Sequence, residues 1–265
     1  MQTIIPALPT EVLLLIARHL GPWDLINLAR AIPGVERLYK PKYWLSIKDD
    51  DDLGNTVLHV AARNGLIDII ESLLSKDFDL AVRNSQGYTA LHYACEVGQY
   101  NIACLLLDSG MDPNLPTLSG MRPLHLAVHY RNVRLVQLLL EHEADILALT
   151  EGKYSILHWS VSSQDTEVTK LLLANMADST KEDIFGRTPL HWAAADGNML
   201  MVMLLLSAGS STLSIDHDGK SPADAAEDHG FLSVAEYIRS FSQPKRPLLP
   251  LQDILSLLER IMSWL

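Results

Sequence analysis

Apolar and polar positions alternate along this chain with a period of 33 residues between about residues 49 and 241. The frame reads TVLHVAARNG from Thr56, TALHYACEVG from Thr89, RPLHLAVHYR from Arg122, SILHWSVSSQ from Ser155 and TPLHWAAADG from Thr188. Leu58, Leu91, Leu124, Leu157 and Leu190 precede a histidine each time, and a leucine pair follows further on, as in Leu73–Leu74 and Leu106–Leu107. Small residues at Ala61, Ala94, Ala127, Ser160 and Ala193 sit where two helices would have to approach closely. Gly54, Gly87, Gly120, Gly186 and Gly219 share a turn position that Lys153 fills in the fourth copy. Each copy therefore predicts a turn, a short helix stopped near a residue such as Gly65, and a second helix bearing residues such as Ile69, Ile70, Leu73 and Leu74. Two helices of about ten residues cannot bury both apolar faces on each other, so the copies must stack.

The T-P-L-H-x-A frame at this period resembles the ankyrin-repeat family. The resemblance implies an all-α solenoid of helix–turn–helix units with short β-turn fingers, covering 49–241 as six repeats: about 52–84, 85–117, 118–150, 151–183, 184–216 and 217–241. The last copy replaces Leu-His by Ala223-Asp224 and carries charge where the others are apolar, as a terminal cap would. The resemblance also gives His59, His92, His125, His158 and His191 a structural role, bonding within and between neighbouring turns. Five copies of one group do not make the single asymmetric constellation that catalysis needs.

Residues 4–48 share no register with the repeats. Their pattern predicts a helix from about Pro9 to Leu20, a stop at Gly21-Pro22, and a second helix from Asp24 to Pro33-Gly34. About forty residues cannot hide that much apolar surface alone, so the segment must dock, either on the first repeat as a cap or on another protein. Leu8, Pro9, Glu11, Val12, Leu13, Leu14, Ile16, Leu20, Asp24, Leu25, Leu28, Leu38, Tyr39 and Trp44 stand in a pattern that resembles the F-box, with AIPGVERL departing from it in the middle. An F-box followed by ankyrin repeats is similar to an arrangement frequent in fungal proteins. The resemblance implies a substrate receptor of a cullin-RING ubiquitin ligase: Leu8, Pro9, Glu11, Val12, Ile16, Leu20, Leu25 and Leu28 would bind the Skp-family adaptor, and the repeats an unidentified protein substrate. The alternative is an ankyrin scaffold or inhibitor whose N-terminal helices only cap the stack.

Ankyrin repeats bind through finger tips and the concave face of the first helices. The tips here fall near 82–86, 115–119, 149–152, 181–185 and 215–218. Leu118, Ile184 and Phe185 are apolar tip residues, and Tyr93, Trp159 and Trp192 follow motif histidines, so these six are the candidate substrate contacts, with core packing the competing account of the aromatics. Asp49–Asp52 reads as a solvated junction. Residues 242–250 read as a linker and 251–265 as an amphipathic helix that folds back on the last repeat or meets a partner.

A net charge of -11, with 32 acidic against 21 basic residues, argues against nucleic acid and anionic membranes as partners. No apolar run is long enough to span a membrane. The two cysteines, Cys95 and Cys104, lie in helical patterns and are expected to be buried, inert thiols of a reducing compartment, cytoplasmic or nuclear. His125 and His129 have the spacing of a zinc helix without its glutamate. No phosphate loop, nucleophile elbow or metal motif is present, so the reading is a non-catalytic monomer that needs no cofactor.

Overall fold

A computed structural model describes residues 19–31, 53–74 and 79–242. Among the described residues there are thirteen helices and no β-strand. The chain divides into two compact units, Met1–Ala177 and Asp178–Leu265. Leu8, Pro9, Glu11, Val12 and Ile16, the acidic run at 49–52 and the segment 251–265 lie outside the described residues.

The N-terminal unit opens with α1 (Pro22–Ala31). Four helix pairs follow: α2 (Val57–Arg63) and α3 (Ile67–Leu74), α4 (Ala90–Val97) and α5 (Tyr100–Asp108), α6 (Pro123–His129) and α7 (Val133–Glu141), α8 (Ile156–Ser163) and α9 (Thr166–Ala174). The C-terminal unit holds α10 (Pro189–Ala195) with α11 (Met199–Ser207), and α12 (Pro222–Asp228) with α13 (Leu232–Ser242). Within each unit, first helices stack on first helices and second helices on second helices. Helices this short are unstable alone and persist because the stack buries one face of each. Ala61, Ala94 and Ala127 are fully buried where first helices meet. Ser160 takes the same place in α8 by turning its hydroxyl onto the Leu157 carbonyl, 2.9 Å away.

The segment before the repeats corrects one sequence expectation. The expected second helix opens earlier than Asp24: Leu20 and Gly21 are non-helical, and Pro22 is the first residue of α1. Proline suits that position, because its fixed φ is already helical and the missing N–H has no intrahelical acceptor there. The Leu25 amide donates back to the Gly21 carbonyl at 3.0 Å. At the other end, α13 runs to Ser242, one residue into the expected linker.

The motif histidines close the first turn of each first helix. Thr56 and Thr89 present an amide at 3.1 Å and a hydroxyl at 2.8 Å to Nδ1 of His59 and His92, and Thr188 does the same for His191 at 3.0 and 2.9 Å. Ser155 repeats the arrangement on His158. Because Nδ1 accepts from an amide, Nε2 carries the proton and donates onward. It reaches the carbonyl of Tyr88 from His59 at 2.9 Å, of Met121 from His92 at 3.2 Å and of Lys220 from His191 at 3.2 Å. Each bond ties one copy to the turn before the next.

His125 differs. Arg122 replaces the threonine, so Nδ1 keeps the amide bond at 3.1 Å but is offered no hydroxyl, and its buried Nε2 makes no hydrogen bond of good geometry, only a weak approach to the Ala148 backbone. In the terminal copy Asp224 stands in for histidine: its Oδ2 accepts from the Ser221 amide and hydroxyl at 3.0 and 2.7 Å. Its Oδ1 takes Arg239 of α13 at 3.1 Å.

Fingers join through single backbone bonds. The amides of Ser85, Leu118, Glu151 and His217 donate to the carbonyls of Leu53, Gln86, Ser119 and Phe185 at 2.9 to 3.1 Å. The turn beside each needs a left-handed residue: Gly87 has φ 81°, and a Cβ there would lie 2.9 Å from the Leu118 amide nitrogen. Lys153 holds the same conformation, at φ 55°, without being glycine.

Candidate protein-binding grooves

Among the described residues, a concavity opens on the face of the first helices in each unit. The N-terminal one has a volume of about 250 Å³ and is walled by Trp23 of α1, by His59, Val60, Arg63 and Asn64 around α2, and by Asn55 and Tyr93. It exists because α1 docks on α2: Leu25 and Ile26 are fully buried in the core of this unit, and Arg30 reaches Asp68 of α3 at 3.3 Å. Leu25, expected to contact an adaptor, is 0% exposed and is a core residue here. Leu20 and Leu28 are half-buried against the same core.

Tyr93, expected to contact substrate, is likewise only 5% exposed. Its hydroxyl receives Asn84 Nδ2 at 3.2 Å, its ring meets His59 edge-on at 5.9 Å, and the Arg63 guanidinium lies 5.6 Å above it. The ring is packed, and what surface it keeps belongs to the groove wall. Trp159 keeps part of its surface, with its ring edge-on to His129 at 5.3 Å. Leu118 is exposed at its finger tip.

The C-terminal concavity is larger, about 460 Å³, and richer in charged side chains. Trp192 and Arg187 form one side, the latter's guanidinium 5.3 Å from the indole and 4.8 Å from the ring of the exposed Phe185. Asp183 holds this side in place. Its Oδ1 accepts from the Phe185 and Arg187 amides at 2.8 and 3.0 Å, and its Oδ2 from Arg187 Nε and Trp192 Nε1 at 2.9 and 3.0 Å. Burial pushes the Asp183 carboxyl up, yet the bonds from Arg187, the two amides and the indole together hold it below the usual carboxylate range. Asp196, Asp216, Asp218 and Asp228 line the rest, with Lys220 paired to Asp228.

The structure thus brings Phe185 and Trp192 to one place, with Ile184 exposed on the same finger, and leaves Leu118 and Trp159 in the other unit. Sequence reasoning missed Asp183 and Arg187. The available signal was spacing: nine residues before each aromatic stand Asn84, Thr150 and Asp183, and both the asparagine and the aspartate bond theirs.

The cysteines divide. Cys95 is buried and its thiol is pushed far up by desolvation. Cys104, expected to be buried too, is partly exposed and lies 3.3 Å from Asp108, whose carboxylate raises its pKa. No helix among the described residues is long and apolar enough to cross a membrane.

A family model described as ankyrin repeats (3 copies) matches residues 29–117, 112–183 and 157–245. Among solved structures, the chain is similar to the crystallised ankyrin repeat domain of Bcl-3, described as a unique member of the IkappaB protein family. The two are 26% identical with a TM-score of 0.66, over 72% of this chain and 88% of that one. No curated protein matches the chain.

Proposed function

We propose that this chain, which belongs to the ankyrin-repeat family and is therefore a protein–protein interaction module, receives a positively charged segment of its partner in the groove beside Trp192. The observation that carries this reading is the lining: Asp196, Asp216 and Asp218, with Asp228 already paired to Lys220, next to an indole and the exposed Phe185 ring, over both of which the Arg187 guanidinium already lies. Carboxylates steer and hold a cation, and aromatic faces beside them supply contact area at small entropic cost. The chain's net charge of -11 favours the same sign of partner.

Calorimetric titration of the full chain with an alternating arginine–alanine peptide tests it, an alternating glutamate–alanine peptide serving as control. The basic peptide should bind and weaken at least tenfold with Asp196→Asn combined with Asp218→Asn, both exposed positions. Equal binding of the two peptides, or none by the basic one, overturns the charge assignment.

The F-box-like motif supports a finer reading, a substrate receptor of a ubiquitin ligase. Adaptor binding then falls to Leu8, Pro9, Glu11, Val12, Ile16, Leu20 and Leu28, since Leu25 is committed to the first helix pair. α1 is fixed to the repeats through Leu25 and Ile26, as a receptor and a cap both require, and a receptor works by holding its substrate at a set distance from the ligase. Wild-type chain should capture the Skp adaptor, and Leu8→Asp with Ile16→Asp should abolish capture without altering the circular dichroism spectrum. A folded wild type that captures no adaptor eliminates the ligase reading and leaves α1 as a cap.

A further inference from the structure

The solvent face of α11 differs from that of every other second helix. At the two outward positions one turn apart, α3 has Asp68 and Glu71, α5 has Asn101 and Cys104, α7 has Arg134 and Gln137, α9 has Glu167 and Lys170, and α13 has Ser233 and Glu236. In α11 the same positions are Leu200 and Met203, 65% and 44% exposed. The helix, MLMVMLLLS, is apolar on all sides, a composition that belongs to helices covered all round. Its buried side, Met201, Val202, Leu205 and Leu206, already faces the core, so the remaining apolar face needs a cover of its own.

The chain supplies a matching segment. In 251–265, Leu251, Ile254, Leu255, Leu258, Met262 and Leu265 recur at helical spacing, while Gln252, Asp253, Ser256, Glu259, Arg260 and Ser263 form the opposite stripe. It follows α13, which packs against α11, after the eight residues 243–250. Eight residues reach at most about 29 Å, and α11 itself is about 14 Å long, so the tether allows the segment to return to it.

We propose that residues 251–265 form a helix that lies on the solvent face of α11 and covers Leu200 and Met203. The surface lies on the second helices, so this inference stands whether or not the groove of the first helices binds a basic segment.

Hydrogen exchange on the full chain tests it. In the wild type the amides of 251–265 should exchange at least tenfold more slowly than an unstructured peptide of the same sequence. Leu200→Glu with Met203→Lys recreates the Glu167–Lys170 pair that α9 carries at these positions, so the repeat itself should stay folded, with protection of 199–207 retained. Protection of 251–265 should fall by at least tenfold. Conversely, Leu255→Glu with Leu258→Glu should uncover α11 and raise the fluorescence of a bound apolar dye severalfold. Unprotected amides in the wild type, or protection unchanged by the α11 substitutions, overturn the proposal. Protection that rises with protein concentration alongside dimer formation assigns the cover to a second copy and overturns it equally.

Discussion

His92 and His125 occupy the same place in successive copies, are both buried, and differ in what they bond. His92 satisfies the Thr89 amide and hydroxyl on one side and the Met121 carbonyl on the other; His125 holds one amide and makes only a weak approach through Nε2. Removing a partner from a buried polar group costs about 1–3 kcal/mol, so His92→Ala should destabilise by about 2–3 kcal/mol and His125→Ala by about 1 kcal/mol less. Urea unfolding of the two variants checks this, and equal losses would refute the bonding difference. Lys153 is the opposite case, a residue in a conformation its side chain disfavours. A left-handed non-glycine residue costs roughly 1–2 kcal/mol, partly offset by glycine's greater freedom in the unfolded chain. Lys153→Gly should therefore raise stability by about 0.5–1 kcal/mol, visible as a higher melting temperature. Both sites were legible in the sequence as departures from the repeat, Arg122 for threonine and Lys153 for glycine. The weak Nε2 approach of His125 was not, because it depends on where the next turn places a carbonyl.

At the scale of the helix, period reveals which face is apolar and stays silent on what covers it. The stripe of α1 was compatible with an adaptor or with the first repeat, and Leu25 and Ile26 turn out to be buried against the repeat. Leu25→Ala should cost the N-terminal unit about 2–5 kcal/mol, and amides of α1 should lose more exchange protection than those of α6. Equal loss across both would mean that α1 is not an independent docking element. Tyr93 and Trp192 show the same limit inside the repeats. They share a register and each lines a groove, yet Tyr93 keeps only 5% of its surface among Asn84, His59 and Arg63 while Trp192, braced by Asp183, keeps more. The 33-residue period fixes where the aromatic stands, and its neighbours decide how much of it meets solvent.

For the whole molecule, burial of so many imidazoles links stability to pH. Desolvation lowers the pKa of His92 and of His125 to about 4, and lowers that of His191. In the unfolded chain these groups protonate near 6.5, so between pH 6.5 and 4 the unfolded state binds protons that the native state refuses. Stability should be level above about pH 7 and fall as pH drops through that window, by roughly 3 kcal/mol for each of His92 and His125. Melting temperatures measured from pH 7.5 to 4.5 check the slope, which should be shallower in His92→Gln. A flat profile would mean that the rings are hydrated. Asp178, Asp183 and Asp224, held below their ordinary range, contribute only under still more acidic conditions.

The exchange of histidine for Asp224 has a consequence for how such chains lengthen. A histidine passes a proton-donating nitrogen forward to the turn of a following copy. Asp224 has no such donor, and its second oxygen is already engaged by Arg239. The sixth copy can accept a predecessor but offers no handshake to a successor. Duplications of a 33-residue module, in evolution or at the bench, should therefore be accommodated ahead of this copy, whereas one spliced behind Ser242 would begin beside a closed door.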